Sequence, residues 1–156
     1  MLHRRELIKL TGTAVLTGML SPIVKAIPAR KKEPFRFCLN TSTISGQNPG
    51  LLKSLEIASA AGYDGVELWL SDIRGYLKQG NTVSTLAKFI ADRGLTVENA
   101  ISFAAWMVND AAKRKAGVQE LEEEMKILAA LGCRRIAAPP SGVSKSDPID
   151  FEQAGI

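Results

Sequence analysis

Glu67 and Trp69 stand on one side of an apolar run, because side chains alternate along a strand and Val66, Leu68 and Leu70 take the other side. A carboxylate in a strand buried on both faces needs a partner. Two uses fit Glu67: a proton-handling group at the mouth of a barrel, or a structural glutamate paired with a basic residue of a neighbouring strand such as Arg36. Both stay open from the residues alone. Trp69 reads first as packing and second as a wall of a ligand pocket. Asn40, Thr41, Asn99, Ser102, Phe103 and Trp106 lie at or just after strand-like runs, where α/β folds place ligand-contacting groups. Other chemistries lack their residues. His3 is the only histidine, so no serine or cysteine further along has an imidazole base. Pro139-Pro140-Ser141-Gly142 has neither the spacing nor the lysine of a phosphate loop, and no glycine-rich dinucleotide fingerprint follows the first strand.

The elements that must position these residues announce themselves by repetition. Three amphipathic stretches run into a glycine and then into an apolar run, at Gly62, Gly94 and Gly132. Glycine suits the left-handed stop of a helix, and helix, glycine and strand in alternation mark an α/β protein with a parallel sheet. Strands are predicted at 35–40, 66–70, 96–102 and 134–138, with Glu98 and Asn99 interrupting the third. The first helix is predicted to start at Asn48-Pro49, with Leu51, Leu52, Leu55, Ala58 and Ala61 at helical spacing giving one apolar face. The second is capped by Asn81 or Thr82 and buries Val83, Leu86, Ala87 and Ile90. The third begins near Asn109-Asp110 with the stripe Val118, Leu121, Met125, Leu128 and Leu131. Its acidic run, Glu120 and Glu122-Glu123-Glu124, reads as a solvated face, with Glu122 placed to pair with Lys126 one turn on.

The N-terminus reads as a targeting segment. Arg4-Arg5 precede an apolar run over 10–24, and Val24-Lys25-Ala26 has the small residues of a cleavage site. The arginine pair resembles a twin-arginine export signal, although His3 stands where Ser or Thr is usual. The expected organisation is a signal peptide over 1–26, a linker over 27–34 and one domain over 35–156, exported to the periplasm by the twin-arginine or general secretory route. Arg4, Arg5, Lys9 and Lys25 against Glu6 give the leader +3 of the net +4. The remaining +1 supplies no basic face for nucleic acid, and no membrane association is expected once the leader is cleaved. About 130 residues are then left, enough for one core. Cys38 and Cys133 read as two buried thiols rather than a disulfide.

A doubly wound sheet could close at this size, whereas a (β/α)₈ barrel needs about 250 residues. The residues favour the barrel. Ala60-Ala61-Gly62-Tyr63-Asp64-Gly65-Val66-Glu67-Leu68-Trp69 resembles the second-strand signature of the sugar phosphate isomerase/epimerase family, whose members have a xylose-isomerase-like TIM barrel. The likeness continues through Ser102-Phe103, Trp106, 121–131 and Gly132-Cys133-Arg134-Arg135-Ile136, and spans 35–142. The fold class it implies is the N-terminal half of a (β/α)₈ TIM barrel, truncated, in the order β-α-β-α-β-α-β. The activity it implies is metal-dependent isomerisation or epimerisation of a sugar or sugar-like molecule. Glu67 would be a catalytic carboxylate; Asn40, Trp69, Ser102 and Trp106 would contact substrate. In the family a divalent metal (Mn, Mg, Co or Zn) is held by two glutamates, an aspartate and a histidine, mainly on later strands. None of those ligands carries over, so no metal is expected in this fragment, which would be inactive alone. Endonuclease-like relatives use histidines of the first half, which are also missing here. The alternatives are a non-catalytic carbohydrate-binding or dimerising α/β module, its open edges hidden in a homodimer, or a non-functional truncated remnant.

Overall fold

The computed structural model describes residues 35–143, 148–150 and 152; the predicted leader and linker lie outside them. Strand β1 (Cys38–Asn40) leads through a 3-10 turn (Thr41–Gln47) to helix α1 (Leu51–Ala60), then β2 (Gly65–Trp69), α2 (Leu70–Lys78), α3 (Val83–Ala91), β3 (Thr96–Ile101) and α4 (Ala111–Ala130). The glycine stops act as the sequence implies. Gly62, Gly94 and Gly132 have φ of 81°, 66° and 76°. At each, the next residue's N–H reaches back over the last turn, as Tyr63 does to the Ala58 carbonyl at 3.0 Å and Cys133 to that of Leu128 at 2.9 Å.

The three strands pair in parallel in the order β1-β2-β3. A doubly wound sheet reverses its strand order at a switch point; this one advances without reversal, as a barrel wall does. The run predicted as a fourth strand over 134–138 contributes a single parallel bridge, Ile101 with Ala137, secured by the Ala137 N–H on the Ala100 carbonyl at 2.8 Å. Pro139 and Pro140 follow at once and have no N–H to extend it.

Val66, Leu68, Val97 and Ala100 turn one face of the sheet to the helices and join Leu55, Ala58, Ile73, Leu86, Ile90 and Leu128 in one buried cluster. The opposite face carries Gly65, Glu67 and Trp69.

The structure corrects several expectations. The second strand ends at Trp69, and Leu70 opens a helix that the apolar run had hidden. Its period is present in Leu70, Ile73 and Leu77, too short a stripe to separate from the strand before it. Helix α1 is capped by Gly50; Asn48 instead closes the 3-10 turn at φ 49°. Thr82, not Asn81, caps α3, receiving the Thr85 N–H at 3.1 Å. On α4 the buried positions are Gly117, Glu124 and Leu128, whereas Val118 and Met125 of the predicted stripe are exposed. Lys126 pairs with Glu123 rather than Glu122. Cys133 is buried, but Cys38 is a free, exposed thiol, since it falls on the open face of an edge strand. No helix among the described residues is long and apolar enough to cross a membrane.

Candidate functional site

The face away from the helices is organised around Glu67. Each of its carboxylate oxygens accepts from an amide: Asn40 Nδ2 on β1 donates to Oε2 at 2.5 Å, and Asn99 Nδ2 on β3 donates to Oε1 at 2.6 Å. The result is a ladder of amide, carboxylate and amide across three strands. Asn40 is fixed from its other end, since its Oδ1 caps the 3-10 turn through the Ser42 N–H at 2.9 Å and receives the Trp69 indole N–H at 3.4 Å. Arg36, the basic partner that the sequence offered for Glu67, pairs instead with Glu98.

A shift in register places Asn99 in this ladder. Val66 pairs with Val97, but Glu67 pairs with Asn99, so Glu98 is the extra residue of a bulge. An unbroken register would set Glu98 beside Glu67, two carboxylates with nothing between them. The bulge replaces that repulsion with an amide donor. Glu98 is taken up by cations at the N-terminal end of the strands, Arg36 at 3.1 Å and Arg135 at 2.8 Å. The Thr96 hydroxyl also donates to it at 2.6 Å, and this bond, followed by the two guanidinium groups, holds its carboxyl below the ordinary value. Gly65 makes room, for a Cβ there would lie 2.7 Å from Glu98 Cγ. A cavity of 550 Å³ opens at this end, between Arg36, Glu98, Asn99 and Arg135. In barrels this is the end where residues serve stability, and the chemistry sits at the other. Cys38 borders the cavity with its thiol pushed up, first by partial desolvation and then by the Glu67 and Glu98 carboxylates.

At the C-terminal end Trp69 meets Phe103, their ring centroids 5.2 Å apart and tilted by 45°. Phe103 is 54 % exposed, an apolar surface beside the polar ladder. Asn40, Glu67 and Trp69 are therefore brought together, joined by Asn99 and Phe103. Trp106 stands apart in its bonding, its indole N–H directed to the carbonyls of Ala138 at 3.0 Å and Pro139 at 3.2 Å. Ser102 is not brought to this face. It is fully buried toward the helices, with its hydroxyl on Glu124.

Glu124 is the residue that sequence reasoning misplaced, as part of a solvated acidic face. It is buried and paired with Arg74 of α2 at 2.7 Å, and Glu120 pairs with the same arginine. The signal was in the spacing: Gly117, Leu121, Glu124, Leu128 and Leu131 recur three or four apart. Among the described residues no group of three or more His, Cys, Asp or Glu could hold a metal ion. The side chains facing Glu67 are amide N–H donors, and among the described residues no second carboxylate or histidine joins it, so these residues do not fit a metal centre.

Residues 55–154 match the family described as Xylose isomerase-like TIM barrel. No curated protein matches the chain. Among solved structures, one of the IOLI protein with a zinc atom is similar at a TM-score of 0.65 and 21 % identity, over 77 % of this chain and 42 % of that one. A D-psicose 3-epimerase, crystallised in the presence of D-fructose, gives 0.55 and 21 %, over 77 % and 43 %. An AP endonuclease, family 2, from Brucella melitensis gives 0.55 and 20 %, over 76 % and 45 %. The chain thus spans less than half the length of each of these structures. At such identities the structural likeness establishes the fold, part of a TIM barrel. With the family match over most of the domain, the chain belongs to the xylose isomerase-like TIM barrel family.

Proposed function

We propose that this chain carries the sugar-facing wall of a metal-dependent isomerase or epimerase barrel, and that its 156 residues do not turn a sugar over by themselves. The observation that carries the reading is the Asn40–Glu67–Asn99 ladder beside the Trp69–Phe103 pair. Fixed hydrogen-bonding groups next to an aromatic surface suit a polyol, which has hydroxyls along its edge and C–H groups on its face. Each Glu67 oxygen keeps a lone pair beyond its amide bond and can accept a sugar hydroxyl. The two asparagines hold the carboxylate in place, so little ordering is left to be done on binding. The divalent metal of the family would be held by residues other than these. The endonuclease neighbour does not move the reading toward DNA, for no histidine lies among the described residues. In this reading the leader over 1–26 directs export.

The test is a titration of the purified chain with D-fructose, followed by tryptophan emission, and a search for epimerised or isomerised product with Mn²⁺, Mg²⁺, Co²⁺ or Zn²⁺ added singly. The expected result is a saturable emission change, weakened at least tenfold by Glu67→Gln, and no product with any metal; tenfold corresponds to about 1.4 kcal/mol. Product formed by this chain would overturn the assignment of no turnover. An absence of saturable binding to D-fructose and to other ketoses would overturn the sugar-facing wall.

A further inference from the structure

Glu124 is 2 % exposed and lies in the helix layer, on the side of the sheet away from the Glu67 ladder. Its two oxygens have separate partners: Oε1 meets Arg74 at 2.7 Å, and Oε2 accepts the Ser102 hydroxyl. A buried carboxylate is kept only where its bonds are complete, and this one is complete through two helices and the segment after β3. That segment is what it fastens. The Ser102 hydroxyl also accepts the Ala104 N–H at 3.1 Å, and the Ser102 N–H donates to the Ala137 carbonyl at 2.9 Å. Between Ser102 and Ala104, both buried, Phe103 is turned out to the opposite side, onto Trp69. Gly117, on the same helix as Glu124, sits against the backbone of Ala105, where a Cβ would be 2.4 Å from the carbonyl.

We propose that Glu124, acting through Ser102 and Arg74, is a positioning residue that sets Phe103 against Trp69. The helix layer thereby holds one wall of the site on the far face of the sheet. The chain from Ser102 to Ala104 is short enough that a bond fixing both neighbours of Phe103 also fixes where its ring is sent. Only the consequence for ligand binding rests on the sugar reading; the placement of the ring does not.

The experiment uses the full 156-residue chain with Trp106→Phe, which leaves Trp69 as its one tryptophan. Acrylamide quenching of Trp69 is measured without sugar. Glu124→Gln and Ser102→Ala are each expected to raise the quenching constant by roughly half or more of the rise that Phe103→Ala produces, with the helical circular dichroism retained. A folded variant that loses thermal stability but leaves Trp69 quenching unchanged would make the network a helix tie only, and would overturn the proposal. If Glu124→Gln does not fold, Ser102→Ala, which removes one oxygen, decides by the same readout. A D-fructose titration of the unsubstituted chain separates the two ideas. Raised quenching in the variants with no sugar response in the unsubstituted chain would sustain the positioning role and overturn the sugar reading.

Discussion

Glu67 and Glu98 are close in the same sheet and are treated in opposite ways. Glu67 is held by neutral amides, which fix its direction without cancelling its charge. Glu98 is neutralised by two arginines at the N-terminal end of the strands and belongs to the framework. The pairing of Glu98 can be read in pH. Glu98 has its carboxyl below the ordinary value of 4.5, through the Thr96 hydroxyl first and the arginines next. A carboxyl lowered on folding contributes stability that is present above its unfolded value and is lost as pH falls through the folded one. Urea unfolding of the parent and Glu98→Gln is therefore expected to show a stability gap that is constant at neutral pH and closes as pH drops below 4.5. Salt should shrink the gap, because both arginines are largely exposed. A gap that persists undiminished at the acid end of the titration would show that it comes from packing rather than charge.

Among the elements, α4 departs from the apolar stripe expected of it. It buries a glycine, a glutamate and a leucine rather than a continuous apolar stripe. Gly117 permits this, because its missing Cβ lets the helix touch the backbone of Ala105 and Trp106. Gly117→Ala is expected to lower stability by about 1–3 kcal/mol, since backbone cannot yield as a side chain can. Gly75, in α2, supplies the control: a Cβ added there would meet nothing within 4 Å, and its helix would gain from alanine. Gly75→Ala should stabilise by roughly 0.5–1 kcal/mol. Thermal unfolding of the two variants beside the parent checks both signs. Similar shifts in the same direction would mean that helix propensity, not the contact with Ala105, governs Gly117.

At the scale of the whole molecule, the core formed by the described residues is one-sided. The helices bury one face of the sheet, and the other face is left to the polar ladder and the aromatic pair. Stability should accordingly be concentrated at residues such as Leu68, fully buried between β2 and the helices. Leu68→Ala is expected to cost about 2–5 kcal/mol by transfer and cavity together. Ile57, 38 % exposed on α1, should cost far less when cut to alanine. Chemical denaturation of the pair measures the contrast. Equal losses would mean that the outer surface of α1 is covered in solution.

Local chemistry determined much of this protein in advance. Glycines that stop helices and strands that alternate apolar with polar residues are short-range signals, and they located β2, α3, α4 and the α/β class from the chain itself. They also placed Glu67 and Trp69 on one face, because alternation needs no knowledge of neighbours. The partners were a different matter. Whether Glu67 would meet Arg36 or Asn40 depended on the register of β1 against β2, and Asn99 reached it only through a one-residue shift between β2 and β3; register is a property of two strands together. Whether Glu124 would face water or Arg74 depended on which side of α4 the sheet lay. Ser102 was assigned to the site by its distance along the chain, yet the pleat turned it to the helices. Sequence periodicity tells which residues share a face; only packing decides what that face meets.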